Sequence, residues 1–163
     1  MTRRLLDLAG IGDGRLHLAW VSSAEAQRFA DVAAEATAVV KEIGPLDREA
    51  FAMVLDACEL TVNREALRWL VGKEVKITAK GDVYGRTWPV ERYESVLNTA
   101  LEREYHKNLI YLALKEGCTS VRDISDRTGL ALKRISYLLA DLEKTKLVEF
   151  RGMEERKPVF AAL

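Results

Sequence analysis

The residue types able to do acid–base or nucleophilic chemistry are few and scattered. The chain holds two histidines, His17 and His106, and two cysteines, Cys58 and Cys118. Such chemistry needs a base and its partner within hydrogen-bond reach. His17 falls in an alternating apolar stretch and His106 in a helical run, so each reads as a packed or surface histidine. The cysteines lie far apart in no C-x-x-C pattern and read as reduced, structural thiols, with a redox role as the lesser alternative. No dinucleotide fingerprint, phosphate-binding P-loop or nucleophile elbow is present. "GIGDG" at 10–14 touches on a glycine-rich loop, but it leads into a strand pattern rather than a helix, the wrong geometry for holding phosphate on helix amides. "SSAE" at 22–25 offers free amides at a helix start, where Glu25 already serves as their partner. The chain by itself reads as no enzyme.

Recognition is the other chemistry on offer, and it gathers near the C-terminus. Leu132, Lys133, Arg134, Ser136 and Tyr137 share the exposed face of one helical pattern. Arg122, Arg127, Arg151, Arg156 and Lys157 flank it and suit phosphate or guanine contacts. Three features weigh against nucleic acid. Leu132 occupies a place where a polar residue is expected, and Glu154 and Glu155 sit beside the flanking cations. From Arg103 to Leu163 there are 12 basic and 9 acidic residues, a small excess for binding that draws on counterion release. The first 102 residues balance it, and the whole chain is neutral.

These side chains need elements to hold them. "NLIYLALKEG" ends a helix with Leu109, Ile110, Leu112 and Ala113 inward. Ser120 caps "VRDISDRTG", which buries Val121 and Ile124 and stops at Gly129. "LALKRISYLLADLEKTK" follows, with Leu130, Ile135, Leu138, Leu139 and Leu142 inward. "LVEF" at 147–150 and "PVFAA" at 158–162 alternate as strands joined by the charged turn "RGMEERK". Three helices and a two-stranded ribbon in this order are a winged helix-turn-helix. Its second turn helix serves DNA readers, but winged helices also dock proteins.

Upstream, residues 5–9 read as a helix end closed by Gly10. Residues 15–21 alternate as a strand, with both faces largely apolar. Ser22 and Glu25 form a capping box for a helix whose stripe is Phe29, Val32, Ala36, Val39 and Ile43, stopped by Gly44 and Pro45. Residues 47–60 form a second helix on the stripe Phe51, Val54, Leu55 and Cys58. Asn63 caps a third, with Leu67, Trp69 and Leu70, ended by Gly72. "EVKITAKGDVYG" reads as a strand and turn or a hairpin arm, and the chain is helical after Pro89, with a candidate break near 103–105. A lone strand cannot satisfy its own backbone, so the 15–21 strand wants neighbours that the chain does not supply. Both its open edges and its apolar face point to self-association, for instance strand pairing between two copies.

"LHLAWVSSAEAQRFADVAAEATAVVKEIGPL" resembles the delta subunit of methyl-viologen-reducing hydrogenases, most specifically at "WVSSAE" and the closing "GPL". The resemblance covers roughly residues 3–46. "RWLVGKEVKITAKGDVYG" and the winged helix look like an extension found in longer members. The resemblance implies a subunit that passes electrons into heterodisulfide-reductase-like complexes. In that family four cysteines upstream of the strand hold a two-iron two-sulfur cluster. No position here matches them, so no cofactor is expected in this chain. The missing strands would then belong to an N-terminal half encoded separately, cut off, or hidden behind a mis-set start at Met1.

The expectation is thus a mainly helical α+β chain. It comprises a strand–helix remnant of a flavodoxin-like α/β domain (1–45), a helical connector with a short strand or hairpin (46–102) and a winged helix (103–163). The expected function is non-catalytic docking within an oxidoreductase complex. The partners are a hydrogenase or a heterodisulfide-reductase-like flavoprotein, with a homodimer also open. On this reading protein docking by Leu132, Lys133, Arg134 and Tyr137 leads, and a stand-alone DNA-binding transcriptional regulator is the alternative. No apolar run is long enough for a membrane span or a signal peptide, so a cytoplasmic place is expected.

Overall fold

The computed structural model describes residues 1–163, every side chain but that of Asp13 included. The chain is mainly helical with one small two-stranded antiparallel sheet among the described residues. It divides into two units, Met1–Ala52 and Met53–Leu163.

In the first unit, α1 (Thr2–Leu8) buries Leu5 and is followed by Gly10 in the left-handed region, φ 68°. One turn of 3-10 helix covers Asp13–Arg15, and α2 spans Ala26–Ile43. Arg15 donates to the Gly44 carbonyl at 3.0 Å, tying this turn to the end of α2. The strand expected over 15–21 does not form, and residues 16–22 carry no regular structure. Its alternation suits a strand, but the amides of a strand need a ladder, and the one sheet among the described residues lies elsewhere. The strand half of the expected strand–helix remnant is therefore absent. The capping box forms by half: the Ser22 amide donates to Glu25 Oε2 at 2.8 Å. The Ser22 hydroxyl accepts only from Ala24, at 3.4 Å, and the helix begins later, with Glu25 at its cap. Gly44 ends α2, as the sequence indicates.

α3 (Ala52–Val62) belongs to the second unit from Met53 onward. Its buried line is Met53, Ala57 and Thr61, while the expected stripe of Phe51, Val54, Leu55 and Cys58 is only half-buried. The reason is polar: Thr61 faces Asn108, whose amide it accepts at 2.9 Å. Asn63 does not cap α4 (Glu65–Val75); its side chain donates back to the Glu59 carbonyl, and Arg64 stands at the cap. Nor does Gly72 end that helix. It runs on through a π-helical turn, Lys76–Lys80, and stops at Gly81 with φ 80°. "EVKITAKGDVYG" is thus a helix end and a tight loop instead of a strand. Its β-branched residues favour a strand locally, and tertiary bonding overrides them, with the Trp88 amide donating to the Ile77 carbonyl at 3.0 Å.

α5 runs unbroken over Val90–Lys115, so no break falls at 103–105. Tyr93, Leu97, Leu101 and Tyr105 recur every fourth residue and are buried. α6 (Val121–Thr128) starts on a complete capping box between Ser120 and Asp123 and ends at Gly129 in the left-handed region. α7 spans Leu132–Lys144. β1 (Val148–Glu154) pairs antiparallel with β2 (Lys157–Ala162), with an irregularity between Phe150 and Gly152. Much of "RGMEERK" is thus strand, and only Glu155 and Arg156 turn, both at positive φ. Ile110, Ala113, Leu114, Ile124, Ile135, Leu138, Leu139, Leu142 and Val148 form one core, while Leu112, expected inward, is only half-buried.

Candidate functional site: the outer face of α7 and its surroundings

Four of the five residues expected on the α7 face share it. Leu132, Lys133, Ser136 and Tyr137 are exposed, held outward because Ile135, Leu138 and Leu139 point into the core. The Ser136 hydroxyl donates to the Leu132 carbonyl at 3.0 Å within the helix. Arg134 turns the other way. It is half-buried, with an amino nitrogen 4.0 Å from Glu102 Oε1 on α5, and its Nε is buried without a partner. Tyr137 meets a cation the sequence reading did not include: the Arg103 guanidinium lies 5.9 Å from its ring centroid. Arg103 also bonds Asp141, which holds that carboxyl below its ordinary range.

The flanking cations divide into two sets. Arg127 pairs with Glu116 at 2.7 Å and Arg151 with Glu149 at 3.1 Å. Arg122, Arg156 and Lys157 are exposed, and Lys157 acts on Asp123. Asp123 lies below its ordinary pKa chiefly because the Ser120 hydroxyl and amide bond its carboxylate. Glu154 and Glu155 are exposed at the ribbon end. What remains is a mixed surface, with Leu132 and Tyr137 exposed among separated cations.

The titratable groups elsewhere assemble no reacting set. His17 is exposed, with its Nε2 2.9 Å from the Gly14 carbonyl. His106 is half-buried beneath α7, and burial, then the charge of Arg134, hold its pKa down while Glu102 opposes them. Its Nδ1 is buried with no partner. Burial pushes the Cys58 thiol up to about 11 and raises that of Cys118, so neither is an activated thiolate near neutral pH. Among the described residues no group of three or more His, Cys, Asp or Glu could hold a metal ion. Among the described residues no helix is long and apolar enough to cross a membrane.

The apolar face expected over 15–21 is open, whereas the exposure of Phe29 and a cavity in the second unit escaped the sequence reading. In the first unit, Val32, Ala36 and Val39 of the α2 stripe are half-buried, while Phe29 is 66% exposed. Leu18 and Trp20 in the preceding segment are 74% and 94% exposed. In the second unit, Trp69 and Trp88, distant in sequence, line one cavity. The interleaving of tryptophan with lysine and arginine over 69–92 was the signal available for it.

A family model, that of the methyl-viologen-reducing hydrogenase delta subunit, matches residues 1–44, which run from α1 to the end of α2. No curated protein and no solved structure gives a significant match.

Proposed function

We propose that this chain is a non-catalytic docking segment of a delta-type electron-transfer subunit. It joins redox partners, a hydrogenase or a heterodisulfide-reductase-like flavoprotein, and carries no redox centre of its own. The similarity of residues 1–44 to a hydrogenase delta subunit supports the class. The family's two-iron two-sulfur centre needs four thiolates, and Cys58 and Cys118 do not fit it.

The observation that carries docking is the open apolar surface in the segment that matches the family. Leu18, Trp20 and Phe29 lie largely in water, and exposed aromatic side chains of this kind mark surfaces that another chain covers. The outer face of α7 is the second docking surface, through Leu132, Lys133 and Tyr137. A second copy of the chain is a further candidate for the same apolar surface.

The runner-up is a winged-helix DNA reader. The order of α6, α7 and the β1–β2 ribbon, with Lys133 and Ser136 outward, favours it. The pairing of Arg127, Arg134 and Arg151 with carboxylates weakens it, because each such pair leaves less charge for phosphate.

The test is capture of the C-terminally tagged chain from its native cells. The expected eluate holds redox subunits with iron–sulfur and flavin absorbance, and these are lost when Trp20→Asp and Phe29→Asp are combined. Both side chains are exposed, so the fold should tolerate the change. An eluate of duplex DNA without redox subunits would overturn docking in favour of the DNA reading.

A further inference from the structure

Within the second unit a cavity of about 780 Å3 lies between α4, the π-helical turn, the loop after it and the start of α5. Its size suits a small ligand rather than a single trapped water. Docking makes no use of it. Trp69, Trp88 and Ile77 give it aromatic and apolar walls, and Lys73, Lys76 and Arg92 bring charge to its rim.

The loop beneath it is locked. Asp82 Oδ1 accepts from the amides of Tyr84 at 2.8 Å and Arg86 at 3.0 Å, and Oδ2 accepts from the Arg86 guanidinium at 2.8 Å. Gly81 is buried, and a Cβ there would stand 2.9 Å from the Gly85 carbonyl carbon. Arg86 and Asp82 therefore neutralise one another and shape the floor. The other cations are not spent in this way. Arg92 lies 4.5 Å from the centroid of the Trp88 ring, a cation–π contact that fixes the guanidinium without cancelling its charge. Lys73 and Lys76 are exposed and make no ion pair among the described residues. The π-helical segment begins at Lys76 and brings Ile77 to the wall. π-helical insertions are uncommon and gather at functional sites.

Lysines on a helix usually face water alone. Here three cations that make no ion pair among the described residues edge a half-open cavity lined by two indoles. That combination selects a flat ring with an anionic tail: indoles stack on the ring, and ammonium and guanidinium groups take the phosphate. We propose that this cavity binds a mononucleotide, its base or other flat ring against Trp69 and Trp88 and its phosphate at Lys73, Lys76 and Arg92.

The test is calorimetric titration of the full chain, with tryptophan fluorescence as a second readout. A Trp20→Phe background assigns any quenching to the remaining two indoles. AMP and FMN serve as smaller-ring and larger-ring probes, with adenosine, inorganic phosphate and a short single-stranded oligonucleotide as comparators. At least one of AMP and FMN should bind saturably and quench fluorescence. It should bind about tenfold or more tightly than adenosine or phosphate. Combined Lys73→Ala and Lys76→Ala, and separately Arg92→Ala, should each weaken binding by about tenfold while circular dichroism stays unchanged. No saturable binding of AMP or FMN overturns the proposal. So does binding that the variants leave intact, phosphate binding as tight as that of either nucleotide, or tighter binding of the oligonucleotide.

Discussion

The side-chain amide of Asn108 donates to the Thr61 hydroxyl at 2.9 Å, with both residues fully buried. The Thr61 hydroxyl in turn donates to the Ala57 carbonyl at 2.6 Å, and Asn108 Oδ1 accepts from Arg64 Nε at 3.2 Å. The bond joins α3 to α5 within a buried polar network that continues through Arg64 to Glu104 and Lys107, so its cost and benefit are both high. Thr61→Val keeps the shape and removes the acceptor. It should lower unfolding free energy by about 1–3 kcal/mol, because a buried amide then has no partner. Adding Asn108→Leu should cost less than the sum of the two changes made separately. Urea unfolding of the four proteins measures the coupling, and strict additivity would show that the bond is not formed.

Two glycines make opposite predictions on either side of the π-helical turn. Gly72 lies inside α4, and a Cβ there would meet nothing within 4 Å. Gly72→Ala should stabilise by about 0.5–1 kcal/mol, since alanine suits a helix interior and restricts the unfolded chain. Gly81 has φ 80° and no room for a Cβ. Gly81→Ala should destabilise by about 1–3 kcal/mol. Thermal melts that shift in opposite directions would bear out both; equal shifts would mean the helix does end at Gly72.

That contrast also shows where the sequence was legible. From Ser120 to the end of α7 the element signals agree: a capping box, a left-handed glycine and a leucine period fix α6 and α7 locally, and their apolar faces close one core. At 15–21 the alternation describes how side chains would point in a strand, but it holds no information about a partner to pair with. At 74–80 β-branched residues mislead, because the bond from Trp88 to Ile77 that settles the conformation comes from outside the window. On α7 the exposure of Leu132, Lys133, Ser136 and Tyr137 was legible, since it follows from helical period alone. The inward turn of Arg134 depends on Glu102, a residue on another helix, and no local pattern reports it.

His106 should make stability depend on pH in mild acid. Its pKa is held down in the folded protein by burial and by Arg134, with Glu102 opposing and the Tyr105 ring alongside. The unfolded chain therefore binds the proton more readily below the ordinary value of 6.5. Its stabilising contribution is complete above that pH and is lost as pH falls through the lowered folded value. Asp82, Asp123 and Asp141 are themselves lowered, so their share is lost only below the ordinary carboxylate value of 3.8. His106→Gln should flatten the stability profile just below pH 6.5 and leave the loss near and below pH 4 in place. An unchanged slope in the upper window would remove His106 as its source.

The two proposed docking surfaces can be separated by variants that the core does not feel. Arg134 is a poor probe of the α7 face, because it is half-buried and its charge acts on His106. Lys133 and Tyr137 are better: both are exposed, and Tyr137 gives up only a distant cation–π contact with Arg103, worth about 0.5–1 kcal/mol at an exposed site. Lys133→Ala combined with Tyr137→Ala should therefore leave the melting temperature nearly unchanged. If α7 docks a protein, the pair should release redox subunits from the captured complex, with an effect that varies little with salt. If α7 reads DNA, Lys133→Ala should weaken duplex binding at every sequence and reduce its salt dependence by about one counterion. Retention of the whole complex by this pair, with loss on Trp20→Asp and Phe29→Asp, would place docking on the first unit alone.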